Sequence, residues 1–283
     1  IAGIINGTTN FILSEMRERG AAFADVLKEA QAKGYAEADP TFDIEGIDAA
    51  HKLTIMASIA FGVPMQFEKC YTEGISRLTR EDIRYAEELG YRIKLLGITR
   101  RTPAGIELRV HPTLVPSRRL IANVEGVMNA VLVKGDAVGA TLYYGAGAGA
   151  EPTASAVIAD LVDVTRMHTA DPEHRVPHLA FQPDQLSDLP FLPMGEVETS
   201  YYLRMRVDDR PGVLADITRI LADREISIDA MIQKEPPEGE DQTDIILLTH
   251  RSIEKRVVDA IHRIEALPTV RGKVVRIRLE DLA

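Results

Sequence analysis

Residues 33–52 read KGYAEADPTFDIEGIDAAHK, and this acidic stretch determines how the first part of the chain is interpreted. It contains five carboxylates followed by one lysine: Glu37, Asp39, Asp43, Glu45, Asp48 and Lys52. Pro40 lacks an amide hydrogen, and Gly34 and Gly46 interrupt the stretch, so its first half is not predicted to be a regular helix. From Gly46 to Phe61 there is no proline or interior glycine, which predicts a helix.

Asp48 and Lys52 are four residues apart on that predicted helix, with the acid in the favourable N-terminal position. Most such pairs are solvated and contribute about 0.3–0.5 kcal/mol. The helix is nearly all apolar from Leu53 to Phe61, however, and a helix that is apolar on every side is predicted to be buried. Charges on a buried helix need partners and often mark a site. A small-molecule site is therefore predicted, with a plain surface pair as the alternative.

Composition narrows the class of protein. The chain has 283 residues, enough for two domains, and its net charge of −10 argues against a nucleic-acid partner. The single cysteine, Cys70, excludes an intrachain disulfide and a cysteine zinc cage. His168, His174 and His178 fit no standard metal motif, so no metal site is predicted. No apolar run reaches membrane-spanning length and no signal peptide is present, so a cytoplasmic protein without a membrane partner is expected.

The first 165 residues alternate helix-like and strand-like patterns. A turn at residues 3–10 leads into a helix that Asn6, Gly7, Thr8 and Thr9 can cap. Further helices are predicted at residues 24–33 and 80–89, and strands at residues 92–99, 105–114, 124–133 and 136–144. These strands predict an antiparallel or mixed sheet with helices packed against it, an α+β fold.

A glycine–alanine run at residues 145–150 leads into a predicted helix that continues to residue 164. A glycine-rich turn at a helix N-terminus is suited to anions. It is not the dinucleotide fingerprint, because G-x-G-x-x-G occurs nowhere in the chain. Tight packing of the backbone is an equally good explanation, and both remain open.

The last part of the chain has a different pattern. Residues 166–199 contain five prolines and no periodicity, which indicates a linker. Residues 200–283 follow the order strand, helix, strand, strand, helix, strand. That βαββαβ order is typical of a ferredoxin-like fold.

Three segments together resemble the homoserine dehydrogenase family. They are GIINGTTNFIL at residues 3–13, AKGYAEADPTFDIEGIDAAHKLTI at residues 32–55 and YGAGAGAEPTASAVIADL at residues 144–161. DDRPGVLADIT at residues 208–218 resembles an ACT domain, an amino-acid-sensing module. The resemblance implies a catalytic domain at residues 1–165, a linker at residues 166–199 and an ACT domain at residues 200–283.

The resemblance implies an enzyme that interconverts L-homoserine and L-aspartate 4-semialdehyde with NAD or NADP, in threonine, methionine and isoleucine biosynthesis. The family's nucleotide-binding domain is expected to lie outside this sequence, which starts at Ile1 and lacks its glycine motif. A second lysine and a monovalent-cation site are expected in that same part. The sequence leaves the choice between NAD and NADP open.

Carried over by motif, the resemblance implies a role for each matching residue. Lys52 and Asp48 form the pair at the reacting centre, where Asp48 can also contact the substrate hydroxyl. Glu37 binds the substrate's ammonium group, and Asp43 is a further acid on the substrate side. The expected cofactor contacts are Gly34, Thr8, Thr9, Gly145, Gly147 and Gly149.

In the ACT-like part, the turn at Arg210, Pro211 and Gly212 is expected to offer backbone amides to a regulatory amino acid, with threonine as the expected effector. ACT domains commonly pair, which predicts a homo-oligomer. A ligand-free, purely structural ACT domain is the alternative. For the whole chain, the rival is a non-catalytic amino-acid-binding regulator that uses residues 1–165 as an oligomerisation platform. Glu37, Asp48 and Lys52 together favour the enzyme, and nothing in the chain resembles an aspartate kinase.

Overall fold

The computed structural model describes residues 1–171, 175, 177, 179–236 and 239–282. His174 and His178, two of the histidines considered above, lie outside the described residues. The chain divides into two compact units. The first unit comprises residues 1–80, 94–111 and 123–192, and the second comprises residues 81–93, 112–122 and 193–283.

The described residues form helices and strands of ordinary length. The α-helices are α1 Gly7–Arg19, α2 Phe23–Ala32, α3 Thr41–Ile44, α4 Ile47–Phe61, α5 Arg80–Glu88, α6 Ala150–His168, α7 Val213–Ala222 and α8 Glu254–Glu265. The strands are β1 Ala2–Ile4, β2 Tyr71–Thr72, β3 Tyr91–Thr102, β4 Gly105–Pro116, β5 Met128–Gly135, β6 Gly139–Ala146, β7 Glu198–Asp208, β8 Ile228–Gln233, β9 Gln242–Thr249, β10 Ser252–Ile253 and β11 Val270–Leu279. No helix among them is both long and apolar enough to cross a membrane.

The sheet of the first unit has the order β6-β5-β1-β3-β4, with β2 parallel to β4. The short strand β1 lies between β3 and β5 and is antiparallel to both. The predicted mixed sheet with helices is confirmed. β1 itself was not predicted, because three apolar residues before a turn carry no periodic signal.

The helix that carries Asp48 and Lys52 is α4, and its ends follow from glycine. Gly46 precedes it at φ 80° and Gly62 follows it at φ 62°, both in the left-handed region that favours glycine. A Cβ on Gly97 of β3 would lie 3.4 Å from Leu53, so this face of α4 packs directly on the sheet. The buried residues of α4 are Ala49, Ala50, Leu53, Thr54, Ala57 and Ser58.

The prediction that α4 is buried on every side is wrong. Ile55 and Ile59 are each 45% exposed, and the Lys52 side chain is 51% exposed. The sheet covers only one face of the helix, and the opposite face, although apolar in composition, is open to solvent in this chain. The acidic stretch also contains one helical turn, α3, which starts after Pro40, where the Asp39 carboxylate accepts the Thr41 amide hydrogen at 3.1 Å.

The second unit has the predicted βαββαβ order, which is confirmed. Its strands lie in the order β11-β7-β9-β8, with neighbours antiparallel. One face of β7 alternates into the core, where α7 and α8 pack on it. The core residues from these elements are Tyr201, Leu203, Met205, Val207, Val213, Ile217, Leu221, Val257, Ala260, Ile261 and Ile264.

On the other face of β7, two polar side chains bind one carboxylate of α5. Asp82 is fully buried and accepts hydrogen bonds from Arg204 Nε at 2.7 Å and the Tyr202 hydroxyl at 3.3 Å. Thr113 and Leu114, at the end of β4, pair in parallel with β11. The second unit therefore includes residues from earlier in the chain than the predicted boundary at residue 200.

The proline-rich segment is attached to the first unit at several points. The Phe181 ring covers Gly62, the Ser187 amide donates to the Gly62 carbonyl at 2.6 Å, and Phe191 bridges to Ile106. By contrast, α6 buries none of its residues.

Candidate active site

The site is built where β1 ends and α1 begins. Asn6 is the N-cap of α1, and its side-chain oxygen accepts the Thr9 amide hydrogen at 2.9 Å. The Thr9 hydroxyl lies 2.9 Å from the same oxygen. An asparagine in this position satisfies amide hydrogens that the first helical turn leaves without partners. Asn6 is 6% exposed, so its side chain is held firmly.

The other end of the Asn6 side chain joins two parts of the acidic stretch. Its amide nitrogen donates to Asp43 Oδ1 at 2.8 Å and to Asp48 Oδ2 at 2.9 Å. Asp43 belongs to α3 and Asp48 to the first turn of α4. One side chain thus brings both predicted acids to the end of β1.

Lys52 completes this cluster. Its ammonium donates to Asp48 Oδ2 at 2.8 Å and to the Ile5 carbonyl at 3.1 Å. The Asp48–Lys52 pair predicted from the helical spacing is therefore present in the structure. An ammonium has three hydrogens, and the described residues accept two of them. The third remains available for an oxygen of a bound molecule on the exposed side of Lys52.

The remaining predicted substrate residue, Glu37, lies in the loop after α2. Gly34 turns this loop at φ 75°, and the Tyr35 carbonyl accepts the Thr8 hydroxyl at 2.6 Å. The side-chain amide of Gln31 donates a hydrogen bond to the Glu37 backbone carbonyl at 3.0 Å. The Glu37 carboxylate is exposed and forms no hydrogen bond with the described residues, so it can accept donors from a ligand.

The glycine run is connected to the same strand end. Gly145 pairs with Asn129 in the β5–β6 hairpin, and a Cβ on Gly147 would lie 2.4 Å from Asn129 Oδ1. The Asn129 amide donates to the Ile4 carbonyl at 3.1 Å, one residue before Ile5. Close packing therefore explains the glycine at 147. Nothing would contact a Cβ on Gly145, and Gly149, at φ 116°, starts α6 in exposed surroundings.

The structure treats the two predicted threonines differently. Thr9 is 1% exposed, and its hydroxyl and amide are both bonded to Asn6. Thr8 is half-buried, and its hydroxyl is bonded to Tyr35. Their cofactor contacts stay predictions, as do those of the glycines.

Sequence reasoning identified Asn6 only as a possible cap. Its contacts with Asp43 and Asp48 span 37 and 42 residues, and no local pattern signals them. The Ile5 carbonyl and Asn129 were missed for the same reason. The only available sign was an asparagine directly after an apolar run, and this sign is common to many helix starts.

A buried ion network supports the site from behind α1. Lys94 of β3 is 2% exposed and donates to Asn10 Oδ1 at 3.1 Å, the Val124 carbonyl at 2.5 Å and Glu125 Oε2 at 3.2 Å. Burial raises the pKa of Glu125, but Lys94, the Ser14 hydroxyl and Arg17 outweigh it and hold this pKa below its ordinary value. The described residues contain no group of three or more histidine, cysteine, aspartate or glutamate side chains that could hold a metal ion.

Comparison with known proteins assigns the family. A family model for homoserine dehydrogenase matches residues 1–162, more than half of the chain. The chain belongs to the homoserine dehydrogenase family. A model for the ACT domain matches residues 201–266.

Two curated homoserine dehydrogenases can be aligned with this chain over its whole length. The chain is 68% identical to the enzyme of Pseudomonas aeruginosa over 282 residues, which is 100% of this chain and 65% of that protein. It is 64% identical to the enzyme of Neisseria gonorrhoeae, again over 100% of this chain and 65% of that protein. The chain therefore spans slightly less than two thirds of the curated relatives' length.

Solved structures agree with this assignment. A homoserine dehydrogenase from Thiobacillus denitrificans is 78% identical, with a TM-score of 0.95 over 100% of this chain and 64% of that one. The Staphylococcus aureus homoserine dehydrogenase at pH 7.5 is 30% identical, with a TM-score of 0.72 over 99% of this chain and 64% of that one. The shared architecture confirms the predicted α+β fold with a C-terminal ACT domain.

In the ACT domain of this chain, the predicted effector turn is exposed. Gly212, at φ 95°, precedes α7, and the Arg210 amide donates to the Asp208 carbonyl at 3.0 Å. The bidentate contact from Arg271, with both distances 2.7 Å, lowers the pKa of the Asp208 carboxyl. The expected backbone amides are reduced to that of Gly212, because Pro211 has no amide hydrogen and the Arg210 amide is bonded to Asp208. An effector role for Arg210, Pro211 and Gly212 stays a prediction.

Proposed function

We propose that the protein is an enzyme that interconverts L-homoserine and L-aspartate 4-semialdehyde with a nicotinamide cofactor. The observation that carries the proposal is the Asp48–Lys52 pair, which is held at the end of β1 with one ammonium hydrogen available to a ligand. We further propose that it acts in the cytoplasm, in the biosynthesis of threonine, methionine and isoleucine.

Lys52 is the proposed proton donor in aldehyde reduction. Hydride addition to a carbonyl carbon leaves negative charge on the oxygen, and a nearby ammonium stabilises that charge and can protonate it. Asp48 orients Lys52 through the 2.8 Å contact, and the Ile5 carbonyl restrains the same ammonium at 3.1 Å. Only the remaining hydrogen of Lys52 is then directed to a substrate.

Two carboxylates account for recognition of an amino-acid substrate. An ammonium group of the substrate is complemented by a carboxylate that has no other partner. The Glu37 carboxylate is exposed and fits this role. Asp43 is half-buried and is held by Asn6 at 2.8 Å, which suits an acid of fixed position on the substrate side.

The cofactor proposal is supported by the open glycine backbone at the start of α6. Gly145 and Gly149 have no side chain within 3.5 Å of where a Cβ would lie, and the 19-residue α6 directs its first amides to this exposed region. A structural neighbour, a hyperthermophilic archaeal homoserine dehydrogenase mutant, is described as a complex with NADPH. When bound, NAD or NADP would supply or accept the hydride. Gly34, Thr8 and Thr9 complete the proposed contacts, and the monovalent-cation site is expected outside these residues.

The test uses the full-length product of the gene and measures homoserine oxidation. Lys52→Met should lower kcat by about 10² or more, the usual size of an acid–base contribution. Lys69→Met, a change at an exposed lysine outside the site, is the matched control and should leave kcat unchanged. A Lys52→Met enzyme with kcat within a few-fold of wild type would contradict the role of Lys52.

The role of Glu37 has a separate kinetic readout. Glu37→Gln removes the charge but keeps the size of the side chain, so it should mainly raise KM for homoserine. An unchanged KM would contradict the proposed role of Glu37 in substrate binding. If the full-length wild-type protein oxidised no homoserine at all, the alternative of a non-catalytic amino-acid-binding regulator would be favoured.

Regulation through the ACT domain is the second part of the proposal. Threonine is the proposed effector, bound at the turn of Arg210, Pro211 and Gly212, and paired ACT domains would make the enzyme a homo-oligomer. Calorimetric titration of the full-length protein with threonine should give heat of binding and a matching loss of activity. If the titration gave no heat and threonine did not inhibit the enzyme, the alternative of a purely structural ACT domain would be favoured.

A further inference from the structure

We propose that Asn6 is a positioning residue for the reaction. Its side-chain amide holds the carboxylates of Asp43 and Asp48 at one point, and the Ile5–Asn6 backbone segment thereby sets the position of Lys52. This inference rests on the proposed function and extends it to a residue that touches neither the substrate nor the cofactor.

The direction of the Asn6 amide follows from its surroundings. The Thr9 backbone nitrogen can only donate, so the atom 2.9 Å from it must be the Asn6 oxygen. The Asn6 nitrogen is then on the opposite side, at 2.8 Å from Asp43 Oδ1 and 2.9 Å from Asp48 Oδ2. Both of its hydrogens are used, one for each carboxylate.

A neutral donor is well suited to this place. Asp43 and Asp48 both have an oxygen within hydrogen-bond distance of one nitrogen, so their negative charges are close and repel each other. Lys52 contacts only Asp48 and contributes one positive charge for two negative ones. Asn6 donates to both carboxylates without adding a charge.

Two successive residues also hold the catalytic pair in place. The carbonyl of Ile5 accepts from Lys52, and the side chain of Asn6 donates to Asp48. Asp48 Oδ2 accepts from both Asn6 and Lys52. This arrangement explains how a lysine whose side chain is 51% exposed keeps a defined position. Without the Asn6 contact, the Asp48 carboxylate can rotate and carry Lys52 with it.

Two substitutions separate positioning from helix capping. Serine and aspartate are both N-cap residues as good as asparagine, so Asn6→Ser and Asn6→Asp each keep the cap of α1. Serine is too short to reach both carboxylates. Aspartate keeps the shape but replaces the donating nitrogen by a third negatively charged oxygen beside Asp43 and Asp48.

The first measurement is homoserine oxidation by the full-length protein between pH 6 and pH 9. Both variants should lower kcat by about tenfold to 100-fold near pH 8, since misplacement of about 1 Å has effects of this size. For Asn6→Asp the deficit should shrink at lower pH, because a protonated carboxyl can donate a hydrogen bond again. Gln185→Glu, which adds the same charge on an exposed 3₁₀ helix away from the site, should leave kcat unchanged.

The second measurement does not depend on activity. In Asn6→Asp the introduced carboxyl lies beside two others, and their negative charges disfavour its ionised form in the folded protein. The Asn6→Asp fold should therefore be most stable at low pH and lose stability as the pH rises and the introduced carboxyl ionises. The melting temperature of Asn6→Asp relative to wild type should therefore fall from pH 5 to pH 8. For Asn6→Ser, which adds no charge, this difference should change less over the same pH range.

The outcomes distinguish this inference from the proposed function. If the wild-type protein is inactive toward homoserine, the proposed function fails. The melting temperatures still test whether Asn6 holds the carboxylates of Asp43 and Asp48 together. A kcat within about twofold of wild type in both variants overturns the positioning role. If the difference in melting temperature between Asn6→Asp and wild type does not change with pH, the inference that Asn6 joins the carboxylates of Asp43 and Asp48 is overturned.

Discussion

Replacing Lys94 by methionine is expected to lower the free energy of unfolding by about 3 kcal/mol at pH 7. Lys94 is 2% exposed, and its ammonium donates to Asn10, Val124 and Glu125. Methionine keeps most of the buried stem. The change therefore removes the charge and these hydrogen bonds and leaves little cavity.

The size of the loss follows from what the partners retain. Removing one member of a buried ion pair generally costs about 3–5 kcal/mol, because the other charge is left without a partner. Glu125 keeps the Ser14 hydroxyl at 2.7 Å and Arg17 at 3.1 Å, and its side chain is 27% exposed. The lower end of that range, about 3 kcal/mol, is therefore expected.

The loss should depend on pH in a defined direction. The pKa of Glu125 is held below its ordinary value, so the stabilisation from its ionised form is complete above the unfolded pKa of about 4.3. It disappears as pH falls through the folded pKa. The difference between wild type and Lys94→Met should consequently shrink as pH falls below the unfolded pKa of about 4.3 and through the lower folded pKa of Glu125.

Urea denaturation of both proteins at pH 7 and at low pH measures these differences. Lys28→Met, at an exposed lysine of α2, is the control and should change stability by less than about 0.5 kcal/mol. A Lys94→Met loss below about 1 kcal/mol at pH 7 would refute the reasoning, because so small a loss is that of an exposed pair. A loss that is the same at both pH values would show that Glu125 is not the partner that matters.

Three further predictions concern other parts of the chain. Gly147→Ala should lower activity by placing a methyl group against Asn129, and adding Asn129→Ala should restore part of it; a double variant no better than the single one would contradict the packing argument. Glu254→Gln should cost about 3–5 kcal/mol in urea denaturation, because Arg278, which is 0% exposed, loses the carboxylate that it contacts at 2.9 Å; a loss below about 1 kcal/mol would be inconsistent with that. Burial raises the pKa of the Cys70 thiol to about 12, so iodoacetamide should label it at pH 8 far more slowly in the native protein than in urea; equal rates would show that the thiol is not protected.

Local physical rules account for the parts of the structure that could be predicted. The alternation of apolar residues along β7 and the glycine before α7 are enough to predict the ACT-like unit, since strand and helix periods depend only on backbone geometry. The glycines at 46 and 62 mark the ends of α4 for the same reason. The burial of α4 was predicted wrongly because a helix's composition does not indicate how many of its faces the rest of the chain covers.

The sequence by itself determined the Asp48–Lys52 pair, because four residues along a helix always bring two side chains to one face. It also determined the βαββαβ order and, through its motifs, the family. Only the tertiary structure decided what surrounds that pair. Asn6 reaches Asp43 and Asp48, and the Ile5 carbonyl reaches Lys52, because the sheet places β1 between β3 and β5 with its end against α4. Such contacts depend on strand order and register, which arise from packing over the whole unit rather than from neighbours in the chain.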